Sequence, residues 1–244
     1  MRRLAVLGVV LAGVASATTS AAERVAARIG VEEIRCEDLH ATDARTCAAE
    51  LLREIRDRAG HRFVATQGLQ ATADEIEAVR AHERAFARHD RAQRAQKLAE
   101  LEARLVHMGA EMSAAEHERL VEFRAVLRRL AAYEADVARG ALAPPELSTA
   151  TVAHWIEQAK LDAALYRRYG GSVGLKAAGA YAHSARAELV ADYMRHENIE
   201  VPDPEVERHL LAALWAPPSI VYRGATPDFT PFWMRPLVPS YVGP

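Results

Sequence analysis

The chain has 244 residues, half of them hydrophobic but only 6% aromatic, and 26% charged. A chain of that length buries a real core as one large domain or two small ones, and its many Ala, Arg, Glu and Leu residues favour helix over sheet. The formal net charge of -2 lacks the basic footprint of a general nucleic-acid binder, so no nucleic-acid partner is expected.

Met1-Arg2-Arg3 is a short positive stretch, and Leu4 to Val14 is apolar. Ala15-Ser16-Ala17 or Ser20-Ala21-Ala22 then offers a small-residue cleavage site. This is the pattern of a secretory signal peptide over 1–22, with an apolar run too short to span a bilayer. Removing the two positive charges of Arg2 and Arg3 takes the formal charge from -2 to -4. The expected mature protein is bacterial, periplasmic or secreted, and has no stable membrane span.

Val25 to Ile34 reads as a short extended segment turning at Gly30. Cys36 and Cys47 are the only cysteines, and in an oxidising compartment an even pair is a disulfide candidate. The alternative makes Cys47 a small core residue on the helical face it shares with Leu51 and Ile55. That helix is expected from about Asp43 to Ala59, kinked or ended by Gly60. A further turn or two over His61 to Gln67 is closed by Gly68 as a C-terminal cap, after which Leu69 packs inward.

Val25-Ala-Ala-Arg-Ile-Gly-Val-Glu-Glu-Ile34 resembles the opening of the N-terminal domain of SurA-type periplasmic chaperones, where a Val-Asn-Gly-x-x-Ile element leads into a helix. The helix through Leu51 and Ile55, then Gly68-Leu69 and Thr72-Ala-Asp-Glu-Ile76, is similar to the family's next helix, glycine break and acidic helix start. The resemblance spans Val25 to Val79. It implies binding of unfolded or outer-membrane-bound polypeptides in an apolar groove between helices, and Phe63, Leu69, Ile76 and Phe86 are the candidate peptide-binding residues near that segment. Such chaperones often carry parvulin-type prolyl isomerase domains. Gly170 to Leu175 and Arg208-His209-Leu210-Leu211 mimic a parvulin's glycine loop and first strand, but in reverse order and with too little chain after them, so isomerase activity is not expected.

A long helical run is expected from Thr72 to Gly140, doubled back near Gly109. Thr72 with Glu75, and Ser113 with Glu116, both fit the capping box. Leu98, Leu101, Leu105 and Met108 on the first arm recur at three- and four-residue steps. Phe123, Val126, Leu130, Tyr133 and Val137 do so on the second, which is the spacing of a helix-pairing seam. Ala87 to Gln96 has no large apolar residue; it reads as a solvated projecting arm, or as an Arg-rich face for an acidic partner.

Ala143-Pro144-Pro145 is the expected boundary between a helical region over 23–142 and a second over 146–216. Within the latter, helices are expected over Thr149 to Tyr169, ended by Gly170-Gly171, and over Ala180 to His196, broken at Asn198. Val173 to Leu175 and Ile199 to Val201 read as extended. A last helix is capped by Asp203, with Pro204 at its first position and Val206, Leu210, Leu211, Leu214 and Trp215 as its apolar stripe. Residues 217–244 are rich in proline and aromatics and are expected to wrap over the core, the alternative being to dock on a partner, without forming helix. The expected fold class is therefore all-α, an irregular helical domain with a long hairpin, short extended segments and a Pro/aromatic tail.

Little in the pattern carries chemistry. His82-Glu83-Arg84-Ala85-Phe86 lacks the second histidine of the H-E-x-x-H zinc motif, so no metal or other cofactor is expected and exposed histidines are the default. Ser184 lies in Ala-His-Ser-Ala-Arg, not in a G-x-S-x-G elbow. No catalytic residue is expected. The residues point to an exported, non-catalytic polypeptide-binding protein. The runners-up are a helical scaffold that pairs with a partner helix or with itself, and an enzyme of unknown reaction.

Overall fold

The computed structural model describes residues 24–237, apart from 109, 110, 144, 145, 177, 178 and 225. The signal-peptide segment, the turn at Gly109, Pro144-Pro145 and the tail residues Pro239, Tyr241 and Pro244 lie outside the described residues. Six α-helices and two two-stranded sheets make the described chain mainly helical. It forms two units, each discontinuous in sequence: 1–59 with 187–216, and 60–186 with 217–244. A division at Pro144-Pro145 is not what the structure shows, since both flanks of that pair belong to the second unit.

In the first unit, β1 (Val25–Ile29) pairs antiparallel with β2 (Glu32–Arg35) around the turn at Gly30. A register shift between Val25 and Ala27 makes a bulge that breaks the alternation, so the successive alanines 26 and 27 are both buried. Arg28 also exchanges backbone bonds of 2.8 and 3.0 Å with Glu200, in the extended stretch that follows Asn198. α1 (Ala44–Thr66) presents Cys47, Leu51 and Ile55 at four-residue spacing, all fully buried. α6 (Pro204–Leu214) is capped by the Asp203 carboxylate, which accepts the Glu205 and Val206 amides at 2.8 and 3.2 Å. Its Val206, Leu210 and Leu214 are buried in the same core, while Leu211 and Trp215, expected on that stripe, are exposed. Arg58 holds the hairpin to α1 through both oxygens of Glu32, each at 3.0 Å. Those bonds keep the Glu32 carboxyl below its usual range.

Cys36 and Cys47 form a disulfide pair with Cα atoms 5.2 Å apart and a sequence separation of 11. A loop of that size contributes about 3 kcal/mol through the unfolded chain. That is comparable to burying one or two core residues such as Leu51 at roughly 2 kcal/mol each.

Gly60 does not end α1; the helix continues to Thr66. A Cβ at Gly60 would meet Leu161 at 3.6 Å, an ordinary contact distance, so the packing there does not itself require a glycine. The cap falls at Gly68, whose φ is 64°. There the Leu69 amide returns to Val64 at 2.9 Å, and Leu69 is half-buried.

In the second unit, α2 (Ala73–Met108) and α3 (Ala114–Ala138) form the expected hairpin. Thr72 and Glu75 make the full capping box, with amide bonds of 2.8 and 3.3 Å in the two directions. The second box is half made: Ser113 accepts the Glu116 amide at 3.2 Å, but the Glu116 carboxylate turns to Arg104 at 2.7 Å. The seam also differs from the expected one. Leu101 and Leu127 are buried, whereas Val126, Leu130, Tyr133 and Met108 are 40–47% exposed. The reason lies in α2. With no large apolar side chain between Phe86 and Leu98, its Arg91, Arg94, Ala95 and Leu98 line one cavity with Leu127, Ala131, Glu134, Ala135 and Ala138 of α3, a lining that leaves out Leu130 and Tyr133. Arg94 pairs with Asp90 and Glu134, and Arg91 approaches Glu134 at 3.6 Å. Arg91 and Arg94 of the polar stretch thus find an acidic partner within the hairpin itself.

α4 (Thr149–Tyr169) begins at the Ser148 cap, ends at Gly170, and buries Val152, Ile156, Leu161 and Leu165. Against it stand Val79, Ile76 and Ala71. β3 (Gly174–Lys176) and β4 (Gly179–Tyr181) then form a hairpin, and α5 (His183–His196) follows. The expected helix start at Ala180 is wrong because Ala180 and Tyr181 are taken into the ladder with Leu175 and Gly174. The tail adds to the outer edge of β3, with Leu175 to Ile220 at 3.0 Å and Tyr222 to Val173 at 2.8 Å. Phe229 then packs on Tyr166 with ring centroids 5.2 Å apart, and Phe232 packs edge-on against Trp155 at 5.9 Å. The described tail wraps over this unit, with one 3-10 turn at Phe232–Met234 where no helix was expected.

Burial raises the Glu75 carboxyl, but the Lys160 ammonium at 2.6 Å and the Thr72 donors outweigh it and hold the group below its ordinary 4.5. A group depressed in the fold contributes stability above its unfolded value and loses it as pH falls through the folded one. Glu75→Gln is therefore expected to cost about 1 kcal/mol or less at pH 7, since the pair is partly exposed. The gap to wild type should close as the pH drops below about 4 in parallel thermal melts.

Candidate functional site

One face of α4 is buried by its apolar stripe; the neighbouring face carries Trp155, Gln158, Ala159 and Asp162 at three- and four-residue steps. These side chains line an open cavity of about 690 Å³ within the second unit. The facing wall comes from Lys176 and Tyr181 of the β3–β4 hairpin and from Arg186 on the first turn of α5. Phe229 to Trp233 of the tail complete it. Tyr181 reaches its place by lying flat across Gly174 of the opposite strand, where a Cβ would collide with the ring.

Asp162 is the polar centre. Its side chain is only 9% exposed, and a carboxylate so far from water must be matched. Arg186 supplies a fork, Nε to Oδ1 at 2.6 Å and Nη2 to Oδ2 at 2.7 Å, while the Ala182 amide donates to Oδ1 at 3.0 Å. Arg186 Nη2 also donates to Gln158 at 2.8 Å. At the other side Asp228 accepts the Thr230 amide at 2.8 Å and meets Arg235 at 3.1 Å. The Thr230 hydroxyl and amide hold its carboxyl below the usual aspartate range. The Lys176 ammonium sits 4.4 Å over the Tyr181 ring, a cation–π contact.

Both carboxylates already accept donors, Asp162 from Arg186 and Ala182 and Asp228 from Thr230 and Arg235, and His154 also lines the cavity. Ser184 does not line the cavity; it shares a 2.5 Å hydroxyl contact with Ser172 and accepts that residue's amide at 3.1 Å. Those bonds clamp the helix start to the segment after Gly171. Among the described residues no group of three or more His, Cys, Asp or Glu side chains is placed to hold a metal ion. His82, expected to be exposed, has a side chain only 13% exposed, with its ring edge-on to Phe232 at 5.5 Å. Arg208 to Leu211 lies in α6 and is no strand.

The expected peptide-binding residues are not gathered in this cavity. Phe63 is 7% exposed, with the Arg168 guanidinium over its ring. Ile76 packs on the Val79, Val152 and Ile156 cluster. Leu69 and Phe86 are half-buried, and none of the four lines the cavity. Nothing local marks Lys176 or Arg186 in the sequence. The one legible signal is Asp162, a carboxylate inside the buried run from Leu161 to Leu165.

No protein-family model, no curated protein and no solved structure matches this chain. The reading of the site therefore rests on its own geometry.

Arg186→Ala would leave Asp162 buried against a single backbone donor. The expected cost is about 3 kcal/mol, more than for Asp162→Asn, in urea unfolding followed by tryptophan fluorescence.

Proposed function

We propose that the protein is an exported, non-catalytic polypeptide-binding protein of the chaperone type, and that it takes apolar segments of its clients into the cavity beside α4. The observation that carries this reading is the make-up of the cavity: Trp155, Tyr181, Phe229 and Phe232 surround polar groups that already satisfy one another. Aromatic walls with a few fixed polar groups are the usual composition of a binding site, and about 690 Å³ lies within the usual range for one. An open cavity of that size accepts one or two large side chains from an extended segment. The signal-like pattern over 1–22 and the Cys36–Cys47 pair support an oxidising, exported compartment. The likeness of Val25 to Val79 to SurA-type chaperones supports the choice of a polypeptide as client.

Suppression of aggregation of a chemically unfolded outer-membrane protein, followed by light scattering, tests this. The wild type is expected to suppress it at a few-fold molar excess. Ala159→Leu, which pushes a larger side chain into the cavity from a helical position, is expected to lose most of that effect with its melting temperature kept. No suppression by the wild type at stoichiometric excess overturns the reading.

A helical scaffold is the second reading, favoured by Val126, Leu130 and Tyr133, which are 40–42% exposed in one row along α3. That row would pair with a second copy of the chain. Sedimentation equilibrium decides it: a dimer lost in Leu130→Glu supports self-pairing, and a monomer mass independent of concentration excludes it.

A further inference from the structure

We infer that the cavity selects client segments in which a carboxylate stands next to a large apolar side chain, with Lys176 as the residue that reads the charge. This inference rests on the cavity being the binding site and adds the chemistry of what it takes.

Charges at the cavity do not cancel. Arg186 is committed to Asp162 through two bonds, and Arg235 to Asp228. Lys176 makes no ion pair among the described residues; its ammonium rests on the Tyr181 ring instead. Arg235 does not itself line the cavity, but by matching Asp228 it leaves Lys176 as the lining cation without a carboxylate partner. An aromatic face attracts an ammonium but fills none of its three N–H donors with an oxygen acceptor. A ligand carboxylate would supply that acceptor, and the bond would be charge-assisted.

Position favours the exchange. Lys176 is the last residue of β3, and its strand is held between β4 on one side and the tail at Ile220 and Val221 on the other. Lys176 is exposed at the rim, and Trp155 and Phe232 supply apolar walls to the same cavity, so a ligand seated on those walls would shield the new ion pair from part of the solvent. An apolar side chain buried on those rings would place an adjacent carboxylate at the rim. Asp162 and Asp228 offer little attraction to a ligand cation there, because each already has its own arginine.

The test uses the intact protein and three acetylated, amidated peptides of sequence Gly-X-Phe-Leu-Gly, with Glu, Gln or Lys at X, titrated calorimetrically at low salt. The Glu peptide is expected to bind about tenfold tighter than the Gln peptide, the gain of one charge-assisted hydrogen bond, and the Lys peptide most weakly. Lys176→Gln is expected to bring the Glu peptide down to the level of the Gln peptide, and Lys176→Arg to restore the preference. Added salt should shrink it. Equal affinity of the Glu and Gln peptides, or a preference that survives Lys176→Gln, overturns the selectivity while leaving the cavity as a binding site. If none of the three peptides binds, the cavity itself fails as the polypeptide site, and the selectivity with it.

Discussion

A carboxylate out of water is the constraint on which the C-terminal half of the second unit depends. Asp162 sits among Leu161, Ile156 and Leu165 on α4, and its burial is tolerable only because three donors converge on it. Two come from Arg186 on α5 and one from the amide of Ala182 just before that helix. Their geometry fixes where α5 starts relative to α4, and so where the β3–β4 hairpin ends. The hairpin in turn provides the edge on which the tail lies. Replacing the pair by apolar residues would keep the core but free the helix start, and with it one wall of the cavity.

A different balance governs the α2–α3 hairpin. Its apolar contact is narrow, with Leu101 and Leu127 as the buried residues of its inner faces. Much of the remaining contact is made by ion pairs such as Arg128 with Glu102 at 2.6 Å and Arg104 with Glu116 at 2.7 Å. Exposed pairs of this kind are each worth less than about 1 kcal/mol. The long hairpin therefore holds its register by many weak contacts, whereas the first unit combines a disulfide with a dense core. Local opening should be easiest along the hairpin, a useful property in a protein proposed to handle other polypeptides.

Function follows from which polar groups are spent and which are left. At the cavity the carboxylates are spent on arginines; nearby, Ser184 of α5 and Ser172 before β3 are spent on each other, and His82 packs against a tail ring. What is left is aromatic surface, the Lys176 ammonium and the His154 imidazole. Such a set suits the proposed role of holding a ligand and reading its charge.

Much of the local structure was legible because it is set by neighbours in sequence. The Asp203 and Ser113 caps, the stop at Gly68, the limits of α4 and the Cys47, Leu51, Ile55 face follow from hydrogen bonds and spacings within a few residues. Ala180 misled because helical spacing does not reveal its pairing with Leu175 across a short hairpin. The α3 seam misled for a similar reason: periodicity locates an apolar row but cannot say which row the facing helix requires. The candidate site was the least legible part, since Asp162, Lys176, Arg186 and Phe232 share no motif or spacing. The amino-acid sequence by itself determined the helices, their caps and the cysteine pair, through interactions local enough to be written in the order of residues. Only the tertiary structure decided the two discontinuous units, the inner face of the hairpin and the cavity, because burial and charge pairing between remote segments choose among faces that local propensity leaves equal.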